Sequence, residues 1–511
     1  MNFARKRAYL IFGLIIFYNL LIRFQINMFE IGVDSFFVHV LVNSVSEFGF
    51  AKWYLNPLSF AGLYPYSYAS SVPFLLSGFA QMSKISMNYI ILIYCQIIGL
   101  LSIFTAYLMT SEIIDDKFTR IVSAFFFSIS LSIVTYSTLT IPTRGLLIVL
   151  APLVFYFLVK MHKTKKISYY ILFSLLCLFM ILTHHLFYFF LPLFASYIVI
   201  EIVQKFQIYK YINLDYIPYF ILIGFIAMFS VPFFTGKFLE TSRYAPLFTN
   251  YLRYVGIPLF YSIGGISYLV FKHEKKYSEY LLLLTIVFLT PFIYKLTYMK
   301  MFISAFLIPF AGYGFSNFTR CIFKQKRQAV VIVLSLLLIT SFVSYYQFLN
   351  EYNFNDENVN ERTLKLSSYS AGNWMKENTF GNAISNNDLL GVRISSVAET
   401  THFVVMSSVI DQVYGFIEAN ISEFKMYPIT SEDFWYSGYA GPDHGNEIWA
   451  DIHRLVKYPD EFNITYVVED INALGNVVWN HSPFRSKLIT ESHTNKGCVF
   501  DNGNIKIWKW E

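Results

Sequence analysis

Long apolar runs alternate with short polar loops over residues 1–348. Each run is close to the roughly 20 residues that an α-helix needs to cross the hydrocarbon core of a bilayer. The pattern therefore predicts about eleven transmembrane helices. The predicted spans are 8–28, 89–110, 121–138, 145–161, 168–183, 186–204, 216–234, 254–271, 278–294, 301–318 and 329–347.

Basic residues are concentrated in every second loop between these runs. The loops that follow the even-numbered spans contain the basic residues Lys117, Lys163, Lys205, Lys272 and Lys324. Because Lys and Arg are retained on the cytoplasmic side of a membrane, this bias predicts a cytoplasmic N-terminus. An odd number of spans then places everything after about residue 348 on the outer face. The predicted location is the cell membrane, with a multi-pass topology.

The loop between the first two spans, residues 29–88, is long and has structure signals of its own. Apolar residues recur at helical spacing over residues 33–45, which predicts an amphipathic helix on the membrane face. Residues 72–82 are apolar but too short to cross a bilayer, so they predict a second surface helix. Asp34 lies at the start of this loop, where the chain leaves the lipid.

After residue 348 the chain becomes more polar, and short β-branched segments replace the long apolar runs. The predicted strands are 383–386, 402–407 and 464–468, and Asp501-Asn502-Gly503 predicts a hairpin between two further strands, 496–500 and 505–510. Helices are predicted through Ile394 and over residues 446–456. The predicted fold class is an α-helical polytopic membrane domain, residues 1–348, followed by a small external α/β domain, residues 349–511.

Composition supports an integral membrane protein. The chain is 55% hydrophobic and only 14% charged, whereas soluble proteins contain about 25% charged residues. Its mean hydropathy is +0.48. Much of the net charge of +6 lies in short loops between apolar runs, so it indicates membrane topology and not nucleic-acid binding. The four cysteines have neither zinc-site nor disulfide-framework spacing.

Asp34 is the first candidate for chemistry. A carboxylate at a membrane surface is suited to bind a divalent cation or to accept a proton. His39 follows on the same predicted helix, and His184-His185 forms the turn between the fifth and sixth spans. Together with Asp34, these imidazoles are candidate ligands for a metal or a phosphate. The alternative is that the carboxylate ends a helix in water and the histidines are ordinary interfacial residues.

Four charged residues in later loops are further candidates. Arg144, Arg243 and Lys300 are candidate ligands for a phosphate, which guanidinium and ammonium groups bind well. Glu240 is a second carboxylate. Simpler interpretations are a lipid-headgroup anchor for Arg144, a solvated loop ion pair for Glu240 with Arg243, and a snorkelling side chain for Lys300.

Four short segments, in this layout, carry a resemblance to a known family. They are Val33-Asp34-Ser35-Phe36-Phe37 with the later Tyr64-Pro65, Phe238-Leu239-Glu240-Thr241, Lys300-Met301-Phe302, and Trp374-Met375-Lys376-Glu377-Asn378-Thr379. The chain resembles the GT-C superfamily of polyprenyl-phosphate-dependent glycosyltransferases. The likeness is greatest to the catalytic subunit of archaeal and eukaryotic oligosaccharyltransferases.

The resemblance implies transfer of a sugar or glycan from a polyprenyl-phosphate-linked donor to an acceptor on the outer face of the membrane. It implies catalytic roles for Asp34 and Glu240, donor-phosphate binding by Lys300, Arg243 and Arg144, and a divalent metal, Mg²⁺ or Mn²⁺. The sequence departs from the family in three places. The Trp-Trp-Asp-Tyr-Gly acceptor motif is absent, residues 140–145 occupy the place of the second acidic motif, and Lys300 replaces an arginine.

Two other functions remain as alternatives. A GT-C-like protein could bind a lipid-linked glycan without transferring it, and the small set of acidic residues favours this alternative. A transporter ranks last, because the sequence has no inverted repeat and no row of charges within the spans. The expected partners are a polyprenyl-phosphate-linked sugar, the lipid bilayer and an acceptor that the sequence does not identify; no nucleic acid is expected.

Overall fold

The computed structural model describes most of the helical region and parts of the C-terminal region. The described residues are 2–24, 29–48, 71–207, 210, 216–234, 244–293, 296–322, 326–352, 363–379, 382–385, 388–398, 402–404, 464–471 and 497–509.

Helices form at the apolar runs of the sequence. Before residue 353 the α-helices are α1 Asn2–Arg23, α2 Val33–Phe48, α3 Ser71–Ser83, α4 Met87–Ser111, α5 Lys117–Ile129, α6 Leu131–Val134, α7 Thr143–Thr164, α8 Ile167–Thr183, α9 Leu191–Lys205, α10 Ile217–Phe234, α11 Tyr244–Val255, α12 Pro258–Phe271, α13 Tyr277–Leu289, α14 Leu296–Ile322 and α15 Lys326–Tyr352. Two short 3₁₀ helices, His185–Phe190 and Thr290–Phe292, precede α9 and follow α13. Each of the eleven predicted spans overlaps at least one of these helices.

Within the described residues, four helical segments are long and apolar enough to cross a membrane. They are Met87–Ser111, Thr143–Thr164, Leu186–Lys205 and Tyr298–Cys321. A fifth results if α11 and α12, which meet at an angle of 100°, count as one broken span. Five further apolar helices have 10–17 residues. The total of about eleven spans and the side on which each terminus lies therefore stay predictions.

The third predicted span, residues 121–138, is not one continuous helix. Helix α5 ends at Ile129, and Ser130 has an extended backbone with φ −59° and ψ 144°. One helical turn, α6, follows, and residues 135–142 are non-helical. Every residue from 121 to 143 is buried. Non-helical backbone of this kind is tolerated at membrane depth only where the protein itself supplies the hydrogen-bond partners.

Arg23, at the end of α1, forms hydrogen bonds with this region at two residues. Its Nε donates to Ser137 Oγ at 2.8 Å and its Nη2 donates to the carbonyl of Ser128 at 2.7 Å. Its Nη1 donates to the Asn19 side chain at 2.8 Å. The guanidinium is fully buried. It fits against α4 only because residue 99 is glycine: a Cβ there would lie 2.4 Å from Arg23 Nε.

The same non-helical segment is bonded to the start of α2. The Ile31 N–H donates to the carbonyl of Leu139 at 2.8 Å, and the Ile141 N–H donates to Ser35 Oγ at 3.1 Å. Helix α7 begins directly after this segment, at Thr143. The buried segment therefore fixes the starts of α2 and α7 relative to each other.

A five-stranded sheet forms in the C-terminal region. Its strands are β1 Asn382–Ser385, β2 His402–Val404, β3 Ile464–Asp470, β4 Cys498–Asp501 and β5 Ile505–Lys509, in the order β2-β1-β3-β5-β4. Strand β1 is parallel to β2 and β3, while β5 is antiparallel to β3 and β4. Helices α16 Leu366–Asn378 and α17 Asp388–Ala398 share an apolar core with the sheet.

These elements confirm most of the secondary structure predicted for the C-terminal region. The β4–β5 hairpin turns at Asp501-Asn502-Gly503, as expected, and Gly503 has a φ of +85°. The helix predicted over residues 446–456 lies outside the described residues. Helix α15 continues to Tyr352, and the domain boundary between residues 348 and 349 stays a prediction.

The C-terminal region packs directly on α2. Phe36, Val40 and Leu41 are buried against Leu364, and Asn43 Nδ2 donates to the carbonyl of Ser396 at 3.0 Å. The opposite side of α2, including Val38 and Val42, belongs to the main helical core. The amphipathic helix predicted over residues 33–45 is present, but it does not lie on the surface, because the C-terminal region covers its second apolar face.

Charged residues form a network at the far end of α7. Glu112 pairs with Lys160 at 2.7 Å and with Lys163 at 2.8 Å. Asp115, which is largely exposed, pairs with Lys276 at 2.5 Å. This network connects the end of α4 to α7 and to the start of α13, at the opposite end of α7 from Arg144.

Candidate functional site

Asp34 and Arg144, which are remote in sequence, meet in an ion pair. The contact joins the Asp34 carboxylate to Nη2 of Arg144. The Asp34 side chain is 45% exposed and the Arg144 side chain is 17% exposed. The carboxylate is therefore accessible from solvent, while the guanidinium is held within the protein behind it.

Three helices begin around this pair. Asp34 lies in the first turn of α2 and Arg144 in the first turn of α7. Tyr298, in the first turn of α14, has its ring centroid 5.2 Å from Arg144 Cζ. The first turn of a helix leaves backbone N–H groups without intrahelical partners and carries the positive end of the helix dipole. The arrangement therefore favours an anion.

The Arg144 guanidinium lies against two aromatic rings. Tyr136 is the second, with its centroid 5.3 Å from Cζ, and cation–π contacts of this length attract the guanidinium. The Tyr136 hydroxyl in turn donates to Met301 Sδ at 2.8 Å. Gly145 allows the close approach of Tyr136, because a Cβ at residue 145 would lie 2.7 Å from the Tyr136 carbonyl oxygen. The position of Arg144 thus depends on the buried segment that Arg23 also binds.

Lys300 lies two residues after Tyr298 on α14. Its Nζ is 4.0 Å from the ring centroid of Tyr254, on α11. Residues 298 and 300 are about 200° apart around an α-helix. The contact that the structure shows for the Lys300 ammonium is therefore with a ring of α11, and its assignment as a phosphate ligand stays a prediction.

The candidate histidines have other partners. His39 Nδ1 lies 2.7 and 2.8 Å from the two carboxylate oxygens of Glu30, and both residues are buried. His184 is buried as well, and its Nδ1 accepts a hydrogen bond from the Leu186 N–H at 3.1 Å, which caps the 3₁₀ helix before α9. The side chain of His185 lies outside the part of the chain that the structure describes.

Two of the predicted charged residues, Glu240 and Arg243, also lie outside the described residues. Their assignment as second carboxylate and phosphate ligand therefore stays a prediction. Of the predicted site residues that are described, the structure brings Asp34 and Arg144 into contact. It leaves Lys300, His39 and His184 with other neighbours.

The described side chains do not form a metal site. No group of three or more His, Cys, Asp or Glu side chains is placed to hold an ion within the described ranges. Asp34 is paired with Arg144, and Glu30 is paired with His39. A divalent cation needs several such donors at once.

The contacts of Arg23, Tyr136 and Tyr298 around the site, and the Glu30–His39 pair, were not predicted from the sequence. Arg23 carried a usable signal, because a charge inside an apolar run is costly and marks a specific role. Glu30 and His39 are separated by nine positions across a helix start, and nothing in that spacing indicates their pairing. Tyr136 and Tyr298 resemble the many other aromatic residues of this chain, which is 20% aromatic.

Comparison with known proteins finds similarity in structure and none in sequence. No protein-family model and no curated protein matches the chain. The oligosaccharyltransferase of Archaeoglobus fulgidus, solved in complex with zinc and sulfate, is similar with a TM-score of 0.56 and 15% identity, over 90% of this chain and 68% of that one. The same enzyme tethered to an acceptor peptide with the NVT sequon is similar with a TM-score of 0.53 and 13% identity, over 91% of this chain and 69% of that one.

A third solved structure extends the similarity to another enzyme. The mycobacterial arabinofuranosyltransferase AftD is similar with a TM-score of 0.52 and 11% identity, over 98% of this chain but only 41% of that one. At these identities the comparisons establish the fold alone. The chain therefore has a fold similar to those of these glycosyltransferases, while its membership of the GT-C superfamily and the motif-level likeness stay predictions.

Proposed function

We propose that this chain is an integral membrane glycosyltransferase that moves a sugar or glycan from a polyprenyl-phosphate-type lipid donor to an acceptor at the outer face of the membrane. The observation that supports it most is the Asp34–Arg144 pair at the meeting point of three helix starts. This pair lies in a fold shared with two glycosyltransferases.

The pair provides the two groups that such a transfer requires. Arg144 presents a planar set of N–H donors that matches the oxygens of a phosphate. The surrounding helix starts add further positive potential. In the absence of donor the guanidinium is neutralised by Asp34; when a phosphate takes its place on Arg144, the Asp34 carboxylate becomes free to act as a base.

The proposed reaction is a single displacement. The nucleophilic oxygen or nitrogen of the acceptor forms a bond to the anomeric carbon of the donor sugar. The bond between that carbon and the phosphate oxygen breaks, and its electron pair leaves with the lipid phosphate. Asp34 accepts the proton of the acceptor, and Arg144 stabilises the charge that develops on the phosphate.

The test is transfer by the purified full-length chain in lipid nanodiscs, supplied with polyprenyl-phosphate-linked sugars and a panel of acceptors. Asp34→Asn should lower the rate by about 10²- to 10⁴-fold, the usual contribution of a positioned base. Asp115→Asn is the matched control, because Asp115 is an exposed acid in an ion pair at the other end of α7. Transfer by Asp34→Asn at the wild-type rate would refute the assignment.

One observation favours a second candidate, a protein that binds a lipid-linked glycan without transferring it. Asp34 is already neutralised by Arg144, and a permanent pair would leave no base. Donor binding by the wild type together with no turnover for any acceptor would support this candidate over the enzyme.

A further inference from the structure

The fold comparison raises the question of a metal. The similar oligosaccharyltransferase was solved with zinc, and a metal ion is one way to neutralise a departing phosphate. Zinc needs about four nitrogen, sulfur or oxygen ligands, and Mg²⁺ or Mn²⁺ needs about six, mostly oxygens. Among the residues that the structure describes, the donor atoms around Asp34 determine how well such an ion fits this site.

The two described carboxylates at the start of α2 are both paired with other side chains. The Asp34 carboxylate contacts the Arg144 guanidinium. The carboxylate nearest to Asp34 in the sequence, Glu30, has both oxygens within 2.8 Å of His39 Nδ1, and that pair is buried. A divalent cation would therefore have to compete with Arg144 for the Asp34 carboxylate.

Arg144 opposes metal binding and can replace the metal. A guanidinium has no acceptor atom and keeps its charge in proteins, so it cannot become a ligand. A divalent cation on the Asp34 carboxylate would lie close to that fixed positive charge and be repelled by it. A phosphate at the same place would be attracted by the guanidinium and by the three helix starts.

We infer that Arg144, and not a divalent cation, neutralises the phosphate at this site, so that the chain binds lipid phosphate without a metal. The identity of the ligand as a lipid phosphate rests on the proposed function. The metal-independence rests on the Asp34–Arg144 contact and on the Glu30–His39 pair alone. The two parts can therefore fail separately.

The first measurement is metal binding, which needs no enzyme activity. The purified full-length chain is dialysed against Mn²⁺, and bound Mn²⁺ is measured by electron paramagnetic resonance in the wild type, Asp34→Asn and Arg144→Gln. We expect no stoichiometric Mn²⁺ in the wild type. One bound Mn²⁺ per chain that disappears in Asp34→Asn would overturn the inference.

The second measurement is binding of farnesyl phosphate, with and without Mn²⁺ or EDTA. Affinity should be the same in all three conditions and should fall at least tenfold in Arg144→Gln, with partial recovery in Arg144→Lys. Asp115→Asn should leave it unchanged. Binding that requires Mn²⁺, or that survives in Arg144→Gln, would overturn the inference.

The two measurements separate this inference from the proposed function. If the wild type binds farnesyl phosphate through Arg144 without metal but transfers no sugar, the inference holds and the enzymatic function fails. If transfer occurs but EDTA abolishes it and Mn²⁺ restores it, the enzymatic function holds and the inference fails.

Discussion

Gly99→Ala is the smallest change that should disturb the site from a distance. The added Cβ would lie 2.4 Å from Nε and 2.5 Å from Cδ of Arg23. To restore ordinary contact at 3.4 Å or more, the guanidinium must move by at least about 1 Å. Its bonds to Ser137 and Ser128 are 2.8 and 2.7 Å long, so a shift of this size directed away from both serines breaks both hydrogen bonds.

The size of the effect follows from these two bonds. A hydrogen bond to a charged group contributes about 1.5–3 kcal/mol, and both would be lost. Replacing Gly by Ala in a helix interior stabilises the helix by about 1 kcal/mol. The free energy of unfolding should therefore fall by about 2–5 kcal/mol. Because Arg23 binds the segment that leads to Tyr136 and Arg144, the affinity for farnesyl phosphate should fall as well.

The assay is unfolding in mixed micelles, followed by the helical circular dichroism signal. Gly264→Ala is the matched control, because Gly264 also lies inside a helix, α12, and a Cβ there has nothing within 4 Å. The control should be as stable as the wild type or slightly more so. If Gly99→Ala unfolds like Gly264→Ala and binds farnesyl phosphate normally, Arg23 does not position the site.

Two further predictions concern other parts of the fold. Phe36→Ala should lower the free energy of unfolding by about 3–5 kcal/mol, because Phe36 is fully buried between α2 and the C-terminal region. It should also speed cleavage of the C-terminal region by trypsin. The control Phe79→Ala, at a residue that is 48% exposed, should change neither the stability nor the cleavage rate. Glu112 should make the stability of the protein depend on pH. Burial raises the pKa of its carboxyl, but Lys160 and Lys163 outweigh burial and bring the pKa below its usual 4.5. Because the folded-state pKa is depressed, the contribution of Glu112 to stability is present above about pH 4.5 and is lost as pH falls through the lowered pKa. Melting temperatures between pH 3 and 7 should therefore fall less steeply in acid for Glu112→Gln than for the wild type, and parallel curves would contradict the depressed pKa.

The hydrophobic pattern was sufficient to locate the helices. Apolar runs in a bilayer have few alternatives to helix, because the backbone must satisfy its own hydrogen bonds there. The same logic explains the error at residues 121–138. Those residues are apolar enough to span, but Ser130 has an extended backbone, and Arg23, Ile31 and Ser35 form hydrogen bonds with the buried segment. Such a break depends on distant residues and leaves no local signal.

Individual residues of the candidate site could be predicted from the sequence, but the contact between them could not. Asp34 and Arg144 were each recognisable as charges at the ends of apolar runs. Their contact could not be predicted, because it depends on how α2 and α7 are placed by the buried segment between them. The burial of α2 was missed for a similar reason: its second apolar face is covered by residues such as Leu364, far along the chain.

The most direct test of the central claim is a structure of the full-length chain with a short polyprenyl phosphate bound. The phosphate should lie within hydrogen-bonding distance of the Arg144 guanidinium, with the Asp34 carboxylate released from it. A phosphate bound elsewhere, with the Asp34–Arg144 pair intact, would contradict the proposed site.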